Sequence, residues 1–203
     1  MPSSLPEWDA KHRRSAQEGE PAAPASFVSE LLPLLPHGSA LDLACGTGRH
    51  TLLLASRRQP VTAVDGSDVA LEILEQRARA SLYVTKRGQE RGKLSVAKQG
   101  IQLVQADLER ATLPADAFSL ILCVQYLQRS LFRQIERALM RGGMLLFETY
   151  THAQLEFEGG PRNRAYLLQH GELRVAFPNL RTLFYRELGA GKGIASLIAQ
   201  KPL

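Results

Sequence analysis

The chain of 203 residues predicts an α/β fold, a mostly parallel sheet with helices on both faces. Two observations predict it. Short apolar runs alternate with stretches of helical periodicity, the pattern of strand–helix–strand units packed in layers. The first three apolar runs each end at or beside a carboxylate, Asp42, Asp65 and Asp107. Such a sheet collects those groups at its carboxyl edge, where open α/β sheets bind ligands.

Each element has a local signal. Ala25 to Leu35, punctuated by Pro33 and Pro36, reads as a short opening helix. Ala40 to Leu43 is the first strand, and its helix runs from about Arg49 to Arg57. The β-branched run Val61 to Asp65 is the second strand. Asp68 to about Leu82 is the second helix, with an acid at its start and Val69, Ile73 and Leu74 at helical spacing. Ile101 to Gln105 is the third strand, and the apolar run Ala117 to Cys123 a central fourth. Leu131, Ile135 and Leu139 then form the core stripe of a helix. Gly142-Gly143 turns the chain into a fifth strand, Met144 to Glu148, and a helix lies near Glu172 to Phe177. Leu180 to Leu188 and Ile194 to Gln200, joined by Gly189-Ala190-Gly191-Lys192-Gly193, read as an antiparallel hairpin.

Composition narrows the function classes. The length suits one domain, residues 25–203, after a polar segment 1–24. No apolar run is long enough for a membrane span and no signal core opens the chain, so a cytoplasmic protein with no membrane partner is expected. Cys45 and Cys123 stand without a C-x-x-C pair or a histidine cluster, so no metal site is expected. Residues 77–98 hold seven Lys or Arg against Glu90, as much as the whole net charge of +5. A phosphate-binding patch would use such a segment, but Tyr83 is its one stacking aromatic, so a solvated loop is the preferred reading over a nucleic-acid partner.

The chemistry concentrates at Leu41-Asp42-Leu43-Ala44-Cys45-Gly46-Thr47-Gly48-Arg49. Here a strand passes through a two-glycine turn into a helix. Glycines let the backbone approach a ligand, and the helix start offers free N–H groups to its polar part. Asp65, seventeen residues beyond Gly48, is placed to accept hydrogen bonds from two ribose hydroxyls. A dinucleotide fingerprint requires Gly or Ala three positions after its second glycine, where this chain has Thr51. A nicotinamide dehydrogenase is therefore the third choice.

In their order, Leu41 to Arg49, Val61 to Ser67, Val104 to Leu108 and Phe118 to Leu127 resemble the motifs of the class I S-adenosylmethionine-dependent methyltransferases. Cys45-Gly46-Thr47-Gly48-Arg49-His50 and Trp8-Asp9-Ala10-Lys11-His12 are similar to the small-molecule group that includes tellurite-resistance and thiopurine-type methyltransferases. Ala44 stands where that family usually has a first glycine. The resemblance implies a Rossmann-like seven-stranded sheet whose last strand inserts beside the fifth. It also implies S-adenosyl-L-methionine as donor, and a segment Trp8 to Arg14 that folds over it as a lid.

By the same resemblance Asp42, Gly46 and Gly48 shape the methionine end, Asp65 the ribose and Asp107 the adenine; Ala44, Arg49, Gly66, Leu108 and Cys123 complete the donor site. Acceptor groups belong beyond strands four and five. Tyr126, Glu148 and His152 are the catalytic candidates, with Glu148 and His152 as bases if the acceptor needs one. Arg162 and Arg164 are placed to hold an anionic acceptor. Gln125-Tyr126 lacks the Pro-Pro-Tyr type of motif, which favours a small-molecule acceptor. RNA or protein methylation on the same fold is the alternative, and a non-catalytic donor-binding sensor or partner subunit is the reading from another class.

Overall fold

The computed structural model describes residues 4–18, 22–80, 85–89 and 94–203. Its helices are α1 (Leu5–Gln17), α2 (Ser26–Ser29), α3 (Arg49–Ala55), α4 (Asp68–Ala80), α5 (Phe132–Ala138) and α6 (Glu172–Val175). Its strands are β1 (Ala40–Leu43), β2 (Val61–Asp65), β3 (Thr85–Gln89), β4 (Ile101–Gln105), β5 (Phe118–Val124), β6 (Leu139–Tyr150), β7 (Arg181–Leu188) and β8 (Ile194–Gln200). They form one sheet in the order β3-β4-β2-β1-β5-β6-β8-β7, parallel except where β8 pairs with β6 and β7. The seven expected strands are all there, with the last inserted beside the fifth.

Burial on both faces explains the apolar runs. Along β1, Leu41 and Leu43 join one core with Ile121, Ile135 and Phe147. Ala40 joins the other, with Leu54 of α3 and Leu71 and Leu74 of α4. Because side chains alternate across a strand, Asp42 lies on the second face, under α3.

Three expectations change. The opening helix is α2 followed by a separate 3-10 turn, Leu32–Leu34, because Pro33 lacks the N–H that a continuing helix needs. The basic segment contributes an eighth strand, β3, in parallel register with β4 at the sheet edge. Its residues 81–84 and 90–93 lie outside the described residues. Leu139, read as the end of a helical stripe, instead opens β6 and pairs with Phe118. Lys201 fixes that longer strand: its Nζ donates to Leu139 O at 2.6 Å, and its backbone bonds both Gly142 and Gly143.

Arg129, in the turn after β5, ties the segment leading into α6. Its guanidinium donates to both carboxylate oxygens of Glu172, and to Ala165 O and Leu167 O at 3.0 and 2.9 Å. Arg129→Ala is expected to loosen residues 164–172. Partial exposure screens the ion pair, so the loss is about 1 kcal/mol. Tryptic cleavage after Arg164 should then accelerate several-fold; an unchanged rate would show that the core contacts of Leu167, Leu168 and Leu173 hold the segment alone.

Candidate functional site

The carboxyl ends of β1, β2, β4 and β5 open on a cavity of about 1250 Å³. Register explains the convergence: Leu43 pairs with both Val64 and Cys123, and Asp65 with Gln105, so four strands stop at one level. The order reverses at β1, between β2 and β5, which is the switch point at which open α/β sheets hold ligands.

Ala44, Gly46 and Thr47 form the part of the wall that follows β1. Ala44 and Gly46 both have φ of 54°. A left-handed position costs an L side chain on the order of 1 kcal/mol, so the turn is strained at the residue that stands for the expected glycine. A Cβ on Gly46 would sit 3.6 Å from His12 Cε1. The turn is thus a shallow cradle that a side chain would begin to fill.

Asp65 lies beside that cradle. Its Oδ2 accepts the Gly46 N–H and its Oδ1 the Ser67 N–H, both at 2.8 Å. Burial pushes its carboxyl upward, while those N–H groups and the nearby His12 favour the ion. Each oxygen keeps a lone pair for a further donor, such as a ribose hydroxyl. At the β4 end, Asp107 is exposed in the wall beside Leu108; its Oδ1 accepts from Glu109 N at 3.0 Å and its Oδ2 lies 3.5 Å from Arg110. Val124, Gln125 and Tyr126 close the β5 side.

Helix α1 covers this edge. Leu5, Trp8, Lys11 and His12 line the cavity, and Leu5 Cδ1 lies 3.6 Å from where a Cβ on Gly66 would stand. Ser67 Oγ donates to Asp9 Oδ1, and the Trp8 and His12 rings stack 5.7 Å apart. His12 thus lies over the glycine turn, with Trp8 and Lys11 beside it in the wall. His12 belongs to the motif and the lid segment read from the sequence, whereas Leu5 was not singled out. The local signal for Leu5 is Ser4-Leu5-Pro6-Glu7, the S-x-x-E pattern of a helix start, where Ser4 N donates to Glu7 Oε2 at 3.1 Å.

The cavity wall brings together Ala44, Gly46, Arg49, Asp65, Gly66, Asp107, Leu108 and Tyr126. The other candidates sit elsewhere. Asp42 is buried below the turn and accepts from Thr51 Oγ1 at 2.6 Å. Burial raises its carboxyl to about 7. Gly48, φ 86°, opens α3 against Leu74. Cys123 is a buried free thiol under Tyr126, and burial raises its pKa, as it does for Cys45.

Glu148 points across the sheet, accepting from Ser196 Oγ at 2.6 Å and facing Arg186 at 3.7 Å. His152 starts a 3-10 turn after β6, and its N–H donates to Leu168 O. Arg162 donates to Leu155 O and Phe157 O, closing its own loop, and Arg164 is exposed; neither lines the cavity. Tyr126 does line it, with a phenol that burial holds protonated above its ordinary range.

These residues fit a nucleoside donor. The wall supplies a strained glycine cradle, an acid with open lone pairs at the end of β2 and a second acid at the end of β4. The volume exceeds the roughly 300–1,000 Å³ of most small-molecule sites, leaving room for a second small molecule.

Comparison with known proteins agrees. Residues 41–147 match the family described as methyltransferase domain. A malonyl-[acyl-carrier protein] O-methyltransferase of Herminiimonas arsenicoxydans is 29% identical over 135 residues, 64% of this chain; the chain spans only 44% of that relative. Among solved structures, TehB from Haemophilus influenzae superposes with a TM-score of 0.68 at 17% identity, over 90% of this chain and 63% of that one. An S-adenosylmethionine-dependent methyltransferase from Mesorhizobium loti gives 0.63 at 19% identity, over 87% and 98%. At those identities the two structures speak for the fold, whereas the family match spans all four strand ends that bound the cavity. The chain therefore belongs to the methyltransferase domain family.

Proposed function

We propose that this member of the methyltransferase domain family transfers a methyl group from S-adenosyl-L-methionine to a small molecule, chiefly by aligning the two in a cavity that α1 partly covers. One observation carries the reading: α1 roofs the cavity, so that the reacting groups meet under cover. The bound donor supplies an electrophilic methyl group on a sulfonium. The chain's part is to hold and orient. The backbone of Ala44 and Gly46 carries the methionine end, Asp65 and Gly66 the ribose, Asp107 and Leu108 the adenine. Val124 to Tyr126 face the acceptor side.

The acid–base groups support alignment over proton transfer. Glu148 and His152 lie outside the cavity wall, and Tyr126 stays protonated. His50, in the wall, has its Nε2 occupied by the Ala25 N–H at 3.1 Å, and burial lowers its pKa to about 3. A neutral imidazole with that pKa is a poor base near neutrality. Exclusion of water and fixed geometry are then the main effects for the protein to supply, with His12 of α1 the other imidazole in the wall.

Titration with S-adenosylhomocysteine, followed by Asp65→Ala, tests the donor side. The substitution removes the acceptor for Gly46 N–H, Ser67 N–H and two ribose hydroxyls. Binding should weaken by about 1–3 kcal/mol, roughly five- to 150-fold. Unchanged affinity in a folded variant would take Asp65 out of the site. Tyr126→Phe should alter turnover while leaving that affinity alone.

A further inference from the structure

Strand β7 ends the sheet, and none of its residues lines the cavity. It pairs on one side only, with β8, so alternate residues turn their N–H and C=O groups outward. Among the described residues no other backbone bonds to those outward groups. The opposite edge strand, β3, carries Lys86, Arg87 and Gly88, residue types that discourage further pairing. β7 has neither lysine nor proline, and its Leu183 and Phe184 are 45% and 40% exposed.

The two arginines of β7 do not guard its edge, because both fold back over the sheet. Arg181 Nη2 donates to Gln200 Oε1 of β8 at 2.8 Å. Arg186 Nε donates to Ser196 Oγ of β8 at 3.2 Å, and its guanidinium lies over the rings of Phe27 and Phe184 at 5.5 and 5.9 Å. An apolar strand edge with outward hydrogen-bonding groups is a template for another strand.

We propose that β7 is a dimer interface, on which a second copy of this chain lays its own β7 antiparallel about a two-fold axis. Complementarity selects a second copy. In such a pair, residues directly opposite each other share a face of the joined sheet. Phe184 and Arg186 share one face, opposite Ile198 and Ser196, while Tyr185, opposite Leu197, lies on the other. The bulge between Thr182 and Phe184 interrupts the ladder at Leu183, so regular pairing centres on Phe184 to Arg186.

Charge then sets the register. An axis through Arg186 would face two guanidinium groups, which destabilises a pair. An axis through Tyr185 instead sets Phe184 against the partner's Arg186, and Arg186 against the partner's Phe184. Each guanidinium then lies between two aromatic rings, the attraction already present within one chain.

Sedimentation of the full chain from about 1 to 500 μM tests the proposal. So short an interface buries less than the roughly 1,200 Å² of a stable complex, so dimers should form with a Kd of about 10–100 μM. Phe184→Lys sets a cation against the partner's Arg186 and should weaken dimerisation at least about tenfold. Adding Arg186→Glu to that variant places opposite charges across the axis and should restore the dimer. Urea unfolding checks that both variants fold, since Phe184 also touches Phe27.

Tyr185→Cys keeps the proposal testable whatever those variants do. On the axis, Cα atoms lie about 4.5–5.5 Å apart, within disulfide range. Mild oxidation should therefore give a covalent dimer, while Leu183→Cys should not, and the buried Cys45 and Cys123 stay out of the reaction. A wild-type chain that is monomeric across the whole range would overturn the proposal. So would a dimer that Phe184→Lys leaves intact, or one that Tyr185→Cys fails to cross-link, since the copies would then meet elsewhere.

Discussion

Gly48→Ala should destabilise the fold by about 2–5 kcal/mol, a large part of the 5–15 kcal/mol that holds a typical domain together. Two independent costs add. Gly48 has φ of 86°, outside the range an L residue tolerates. A Cβ built on it would also lie 2.0 Å from Leu74 Cδ1 and 2.8 Å from Leu74 Cγ. Leu74 has no exposed surface and sits in the core of α4, so it cannot swing aside. The urea midpoint should fall with little change in slope. A glycine kept only for a ligand's approach would behave otherwise: the midpoint would hold and S-adenosylhomocysteine affinity would drop. That result would return Gly48 to the binding surface and remove its packing role.

Gly48 also marks where sequence reasoning stops. The two-glycine turn was legible because a strand, a turn and a helix start are local. So were β1 and β4, whose residue limits match their apolar runs. Which glycine serves the ligand was not legible, because the answer for Gly48 is Leu74, on the next helix. Strand β6 shows the same limit: Leu139 keeps helical spacing with Leu131 and Ile135, yet its partners are Phe118 and the distant Lys201.

Edge strand β3, Thr-Lys-Arg-Gly-Gln, has no apolar alternation to announce it; pairing with β4 makes it a strand. Glu148 looked placed for catalysis because it ends an apolar run, but Ser196, 48 residues away, turns it across the sheet. Strand-end positions near the cavity were readable as a set. The direction of each side chain was decided by neighbours remote in sequence.

Asp42 shows how such a remote environment becomes measurable. Its carboxyl is fully buried, and the Thr51 hydroxyl only partly offsets the cost of ionising it, so its pKa rises from 3.8 to about 7. The consequence for stability has a definite sign. Below the ordinary pKa the group is protonated in folded and unfolded chains alike. As pH climbs from there to about 7, the unfolded chain releases the proton and the folded one keeps it, so unfolding becomes easier. Over roughly three pH units that amounts to at most about 4 kcal/mol. His50 works in the opposite direction, because its lowered pKa makes acid favour the unfolded chain.

The whole-protein profile therefore mixes the two, and the difference between wild type and Asp42→Asn isolates the carboxyl. Asparagine keeps an oxygen for the Thr51 hydroxyl but has nothing to ionise. Relative to wild type, the variant should gain stability steadily between about pH 4 and pH 7 and hold that gain above it, by urea unfolding at each pH. A constant difference across that range would mean that Asp42 ionises in the folded protein as readily as in water, and that its charge is carried by the site above it.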